Sequence, residues 1–303
     1  MNIREFLYVV TIYEEGSLTK AAEKLFLTQP SLSKYIITLE DNYGMRIFDR
    51  STSPWGLTDF GEEFIRVSRE ALCLNRHLEQ KIQDIQNFKF GKLSVGIPVT
   101  RATHLLPQLL PVFQERYPDI KLQIVEKSSS ALEELLLRGA LDLIVFYQDD
   151  VNPLLNYQLL GKEKLYLVTA PGYIYGTQPG QRFHEIVYNY SLEEKPFILL
   201  HEMQRTRKIA ERIFLDYKIK PQVQVVTRQL ELATKLCIKG LGVTFTTETL
   251  RNSFQDNIQY QKADYYPLDK QYEIPIVAAT RKDSYISKIG QCFIDLVKQM
   301  YTI

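Results

Sequence analysis

Residues 17–40 read SLTKAAEKLFLTQPSLSKYIITLE. This stretch decides the fold, because it holds two short helical patterns with almost nothing between them. Ser17 is a good N-cap, since its hydroxyl can accept from the free N–H groups of a first helical turn. Ala21, Ala22 and Leu25 then face inward at helical spacing. Only residues 26–28 remain for a bend, and the small alanines let the helices cross tightly. Thr28 caps the next helix, whose first turn tolerates Pro30. Leu32, Tyr35 or Ile36, and Leu39 make its buried stripe. Such a pair is either a helical hairpin in a core or a helix-turn-helix. In the latter the second helix enters the major groove and its N-terminal residues meet base edges. Gln29, Ser31, Ser33, Lys34 and Thr38 are then its exposed positions.

The flanks extend this pattern. Residues 3–13 carry apolar side chains at helical spacing, and Glu14, Glu15 and Gly16 end that helix. Residues 44–58, GMRIFDRSTSPWGLT, place two short apolar stretches around a polar turn, which suits a small β-ribbon or wing. In the next segment Phe64, Ala71, Leu78 and Ile85 recur by sevens, with Val67 and Leu74 between them. This predicts a long helix with a coiled-coil-like seam for a partner helix, interrupted at Lys81, where Ile82 takes over. Residues 1–59 hold six basic and eight acidic side chains, a net charge of −2, so any contact with nucleic acid must rest on local charge.

From Gly91 strand-like and helix-like segments alternate, from KLSVGI to EIPIVAAT, with a last helix from about Tyr285. Alternation predicts an α/β domain with a mostly parallel sheet. The chain has 303 residues, enough for about two domains, and a net charge of +1 favours no particular partner overall. The opening MNIREFLYVV does not read as a signal peptide, and no apolar run reaches a bilayer span. Three cysteines far apart, Cys73, Cys237 and Cys292, fit a reducing cytoplasm. Cys237 lies on an apolar helix face and reads as a structural thiol. No CxxC appears and no histidine has a second histidine at ligand spacing, so no metal or other cofactor is expected. No GxSxG, P-loop, HExxH or Cys–His signature supports catalysis.

Residues 17–50, SLTKAAEKLFLTQPSLSKYIITLEDNYGMRIFDR, followed by GLTDFGEEF, resemble the N-terminal signature of LysR-type transcriptional regulators. The likeness continues through LLPVFQERYPDIKLQIVE, ALEELLLRGALDLIVF and KLCIKGLGVTFTTE, and so covers essentially the whole chain. It implies an all-α winged helix-turn-helix over 1–59, a dimerising linker helix over 60–88, and an α/β effector-binding domain over 89–303 resembling a periplasmic binding protein. That domain would comprise one subdomain of about 91–162 and 268–303 and a second of about 163–267. The resemblance implies that Gln29, Ser31, Ser33 and Lys34 contact bases and nearby phosphates. Thr28 would cap the helix and touch phosphate, and Arg50 and Ser51 would be wing contacts. The partners implied are double-stranded promoter DNA, a second copy in a dimer or tetramer, and RNA polymerase. The wing departs from the family pattern. RSTSPWGLT has Ser and Thr where many relatives carry a cation, and Trp55 is expected to pack the wing onto the helices.

The effector cleft of the family lies between the two subdomains. The residues also point to one, because four helices start just after strand ends, where unpaired N–H groups favour anions. Hydroxyls gather there at Thr100, Ser128, Ser129, Thr206, Thr227, and Thr246 or Thr247, with Arg101, Arg205 and Arg228 beside three of them. The candidate effector contacts are Thr100, Arg101, Ser128, Ser129, Arg205, Thr206, Thr227 and Thr246, and the expected effector is a small anion such as a carboxylate. The competing expectations are a solute-binding module or an enzyme on the same α/β fold. DNA protection would separate a regulator from both, and turnover of a bound molecule would identify an enzyme.

Overall fold

The computed structural model describes residues 2–51, 54–85, 91–148, 151–178, 180–190, 192–202, 204–255, 263–282 and 284–301. The chain opens with helices α1 (Ile3–Glu15), α2 (Leu18–Lys24) and α3 (Gln29–Tyr43), the ribbon β1 (Phe48–Asp49) and β2 (Gly56–Leu57), and the long helix α4 (Asp59–Ile85). Then come β3 (Gly91–Pro98), α5 (Val99–Arg116), β4 (Ile120–Lys127), α6 (Ser129–Leu137), β5 (Leu143–Tyr147), β6 (Leu155–Glu163) and β7 (Leu165–Thr169). The remaining elements are α7 (Phe183–Asn189), β8 (Pro196–Leu200), α8 (Arg205–Asp216), β9 (Gln222–Thr227), α9 (Leu230–Ile238) and β10 (Thr244–Thr247). The chain closes with α10 (Glu248–Gln255), β11 (Asp264–Pro267), β12 (Ile274–Arg281) and α11 (Lys288–Met300). It folds as two compact units. The first is Met1–Ile97, Arg116–Ile144 and Thr280–Cys292; the second is Pro98–Glu115, Val145–Ala279 and Phe293–Ile303.

Local signals set the helix ends of the first unit. Asn2 and Glu5 form a capping box on α1, and Gly16 ends that helix at φ +57°. Ser17 and Thr28 cap α2 and α3, and Pro30 sits in the first turn of α3. The bend between these two helices is closed by Leu25 and Leu27 N–H groups donating to the Ala21 and Ala22 carbonyls. Phe26 there has φ +56° and a side chain that is 96% exposed. Val9, Ala21, Leu32, Ile36 and Ile47 are buried beneath, and Phe60 and Phe64 of α4 pack against Tyr43, with Phe64 also on Phe6.

The LTDFG stretch has a mechanical reason. The Thr58 hydroxyl donates to Arg46 O at 2.6 Å and accepts from Gly61 N at 3.0 Å, so one side chain anchors the wing and starts α4. A Cβ on Gly61 would lie 2.0 Å from Ile47 O, so only glycine allows this approach. Beyond Phe64, α4 has two unlike faces. Leu74, Leu78 and Ile82 are 69%, 58% and 45% exposed, one apolar stripe at i, i+4 and i+8. The opposite face is tied to the rest of the unit. Gln80 donates to Asp142 at 2.8 Å, and Asp84 accepts from Tyr285 OH and Lys288 N. The Ile85 side chain and residues 86–88 of the expected linker lie outside the described residues.

The largest sheet has strand order β4-β3-β5-β12-β6. Within the first unit β3 and β5 run parallel, with Val95 opposite Leu143. In the second unit β8 and β9 form a parallel pair, whereas β7 is flanked by β10 and β11, both antiparallel. The mostly parallel expectation therefore fails for that sheet. Strand–helix alternation shows that a connection intervenes, not which way the chain returns. The long excursion between β7 and β10 brings it back reversed.

Two substitutions should move stability in opposite directions in thermal unfolding. Gly61→Ala should destabilise by about 3 kcal/mol, because backbone must shift. Phe26→Asn should stabilise by up to about 1 kcal/mol, because Asn tolerates the left-handed conformation better.

Candidate nucleic-acid and effector sites

The N-terminal turn of α3 is presented by its cap. The Thr28 hydroxyl accepts from Ser31 N at 3.4 Å and lies 2.7 Å from the Ser31 hydroxyl. With Leu32, Ile36 and Leu39 in the core, Gln29, Ser31 and Lys34 are exposed and Ser33 is half-buried. Ile37, exposed on the same helix, is a position that sequence reasoning missed. Its signal is the period itself, three residues after Lys34.

The wing is held by one carboxylate. Buried Glu40 accepts from Ile47 N at 2.8 Å and Phe48 N at 3.1 Å, and its second oxygen takes Arg50 Nη2 at 2.7 Å. The Arg50 guanidinium also stands 5.2 Å from the Trp55 ring centroid, and Trp55 packs on Phe48 as expected. Ser51 donates through N–H and hydroxyl to Asp49 Oδ1, which holds the Asp49 carboxyl below its usual range. Both expected wing contacts are thus engaged by their own chain. Thr52 and Ser53 lie outside the described residues. Lys20, Lys34 and Arg46 are exposed cations with no carboxylate partner among the described residues, while Lys24 pairs with Glu15.

In the second unit β8 and β9 end together. His201 N donates to Thr227 O, and Gln204 Nε2 donates to Arg228 O at 2.7 Å. This brings Arg205, Thr206 and Thr227 to one end of the parallel pair, where α8 begins. The Thr227 hydroxyl accepts from Gln229 N, and Gln204 Oε1 is buried with no hydrogen-bond partner. Thr246 is fully buried in β10, and its hydroxyl accepts from Thr234. Thr100 is exposed at the start of α5. Ser128 caps α6 in the first unit, with Ser129 following it.

Arg101, expected to be open to an anion, has its charge already answered. It is buried and donates to Glu163 at 3.1 Å and to Tyr301 OH at 2.5 Å, with its guanidinium 4.0 Å from the Tyr147 ring centroid. Glu163 also accepts from Tyr147 OH and, at 2.9 Å, from Thr249 N. Burial pushes the Glu163 carboxyl up, but Arg101 and the donors from Thr249 and Tyr147 outweigh it. The net shift is below the usual carboxylate value. Sequence reasoning missed Glu163 because a lone acid at a strand end carries no signal. Cys237 is buried and its thiol donates to Val168 O and Gly242 O. Burial pushes that thiol up, which makes it unreactive.

Among the described residues no group of three or more His, Cys, Asp or Glu could hold a metal, and no helix is long and apolar enough to cross a membrane. Residues 3–62 match the bacterial regulatory helix-turn-helix protein of the lysR family, and residues 87–302 match the LysR substrate binding domain. The uncharacterized HTH-type transcriptional regulator YcgK of Bacillus subtilis is 30% identical over 317 aligned positions, covering 99% of this chain and 94% of that protein. A probable RuBisCO transcriptional regulator of Gracilaria tenuistipitata var. liui is 26% identical over 78% of this chain and 76% of its own length. A full-length OxyR variant from Pseudomonas aeruginosa superposes with a TM-score of 0.75 at 24% identity, covering 100% of this chain and 95% of that one. CbnR complexed with its target DNA gives 0.62 at 20%, with 99% of each chain covered.

The Glu163 network makes a pH prediction. A carboxyl lowered by folding stabilises above its unfolded value of about 4.3 and loses that contribution as pH falls through the folded value. Glu163→Gln should therefore lose about 3 kcal/mol or more at pH 7, because it leaves Arg101 buried without its counter-charge. The gap to the wild type should close as pH drops below about 4. Denaturant melts across pH read this directly.

Proposed function

The chain belongs to the LysR family of transcriptional regulators, and from that premise we propose how its parts divide the work: α3 reads promoter DNA and the β8–β9 strand ends take a small anion. As a member it is a DNA-binding transcriptional regulator with an effector-binding domain. The observation carrying the first assignment is the first turn of α3. Gln29, Ser31 and Lys34 are exposed there while their neighbours fill the core, so hydrogen-bonding groups are free for base edges and phosphates. Ser33 and Thr28 flank them. Lys20 and Arg46 add cations without a carboxylate partner among the described residues, which offset the acidic count of the head where a phosphate backbone would lie. CbnR, whose matching fold was solved on its target DNA, supports this docking. Arg50 and Ser51 act first by shaping the wing and reach the backbone only at its tip.

The head comprises 1–59, the linker 60–88 and the effector domain 89–303. The apolar stripe Leu74, Leu78 and Ile82 supports a homodimer through α4, with a tetramer formed by a second interface. The effector is a small anion such as a carboxylate. Its contacts are Arg205, Thr206 and Thr227, where a helix N-terminus and strand ends meet. Thr100, Ser128 and Ser129 are further candidates. The protein works in the cytoplasm, contacts RNA polymerase when bound at a promoter, and carries out no catalysis.

Footprinting on the DNA upstream of its own gene tests the reading head. Wild type should protect a dyad-symmetric site. Ser33→Ala with Lys34→Ala should abolish protection while the chain stays folded, and unchanged protection would remove α3 from the interface. Removing one phosphate contact with Lys34→Ala alone should lower the log–log salt slope by about 1. Separately, Leu74→Asp with Leu78→Asp should yield monomers in sedimentation.

A further inference from the structure

Within the first unit α4 presents Cys73, Arg76, His77, Gln80 and Asp84 along one side, and each is met by a polar group of the effector-domain segments. Arg76 donates to Gly139 O. Gln80 donates to Asp142, which also accepts from Ser94 N at 2.7 Å. Asp84 accepts from Tyr285 OH and Lys288 N. At the end of this row nearest the head, Arg281 donates from Nη2 to Cys73 Sγ and stands 3.3 Å from His77 Nε2. Cys73 Sγ lies 3.4 Å from the same ring nitrogen. A guanidinium donates and cannot accept, so Nε2 is the acceptor in this contact. The His77 ring is therefore neutral, with its proton on Nδ1.

We propose that His77 makes the docking of α4 on its own effector domain sensitive to pH: the neutral ring holds the two together and the protonated ring releases them. A proton on Nε2 removes the acceptor and sets a second cation against Arg281. The charged groups facing the ring are Arg281 from β12, Arg76 and Lys81 from α4 itself, and Asp142 from the turn before β5. Burial first, and then Arg281, hold the ring below the ordinary imidazole value. Arg76 and Lys81 act the same way, and Asp142 opposes them without outweighing them. The sign follows. A value lowered by docking means that the contribution is complete above the undocked value of about 6.5 and is lost as pH falls toward the docked value. Over that window the docking equilibrium weakens by up to about tenfold per pH unit. Because α4 leaves the DNA-reading head, acidification loosens the head from the domain that takes the effector. This input needs no effector and is separate from the anion at the β8–β9 ends.

The test uses the full chain and two readouts. In an NMR titration of the histidine rings, the His77 signal is the one missing from His77→Gln. It should titrate below about 6.5 in the wild type and move up in Arg281→Gln. Amide hydrogen exchange over residues 73–82 is then compared at pH 7.5 and pH 5.5, corrected for the intrinsic change in exchange rate. Wild-type protection should fall by up to about tenfold at the lower pH. His77→Gln, whose amide oxygen accepts without titrating, should keep the same protection at both. A wild-type ring that titrates at or above about 6.5, or one that does not move in Arg281→Gln, would overturn the proposal. So would wild-type protection that is equal at the two pH values, or an equal fall in His77→Gln. If His77→Gln melts early, the ring titration in wild type and Arg281→Gln decides alone.

Discussion

A carboxylate buried in the last turn of α3 organises the DNA-reading head. The position is unfavourable for Glu40 twice over: it is out of water, and the C-terminal end of a helix carries partial negative charge. Two backbone N–H groups and the Arg50 guanidinium compensate. Because those N–H groups belong to Ile47 and Phe48, the chain must leave α3 and enter the wing along one path. Ile47 O then faces Thr58 and Gly61, and α4 can begin only where glycine allows that carbonyl to approach. Recognition helix, wing and long helix are thus fixed to one another through a few polar atoms, with the aromatic packing around Phe64 filling in behind them.

Arginines in this molecule divide by how their charge is met. Arg50 and Arg101 are consumed internally, the first half in water and the second fully out of it. Arg101 joins the start of α5 to the ends of β5, β6 and α11 through Glu163, Tyr147 and Tyr301. An anion arriving there would have to displace a carboxylate that already holds three donors. Residues at strand ends are therefore not equivalent, although each has the same helix-start signature.

The head is legible in the sequence because its signals are local. Ser17 and Thr28 cap as expected, Pro30 falls in a first turn, and Leu32, Ile36 and Leu39 form the buried stripe. The matches to both LysR regions bear out the family resemblance and the two-part architecture. What the sequence does not disclose depends on long-range pairing. Glu40 with Arg50 spans ten residues and Arg101 with Glu163 spans sixty-two, so each arginine looks available when read alone. The antiparallel return of β10 to β7 is hidden for the same reason. Thr246 reads as a strand-end hydroxyl, but Thr234 on the preceding helix α9 donates to it.

The exposed stripe on α4 gives the regulator a property beyond assembly. If burying Leu74, Leu78 and Ile82 is what pairs two chains, then a reading head acts alone at low abundance and in twos at high abundance. Operator occupancy would then rise with roughly the square of protein concentration in the monomer-dominated range. A regulator that pairs through this stripe would answer a modest change in its own synthesis with a sharper change in operator occupancy, before any effector is bound.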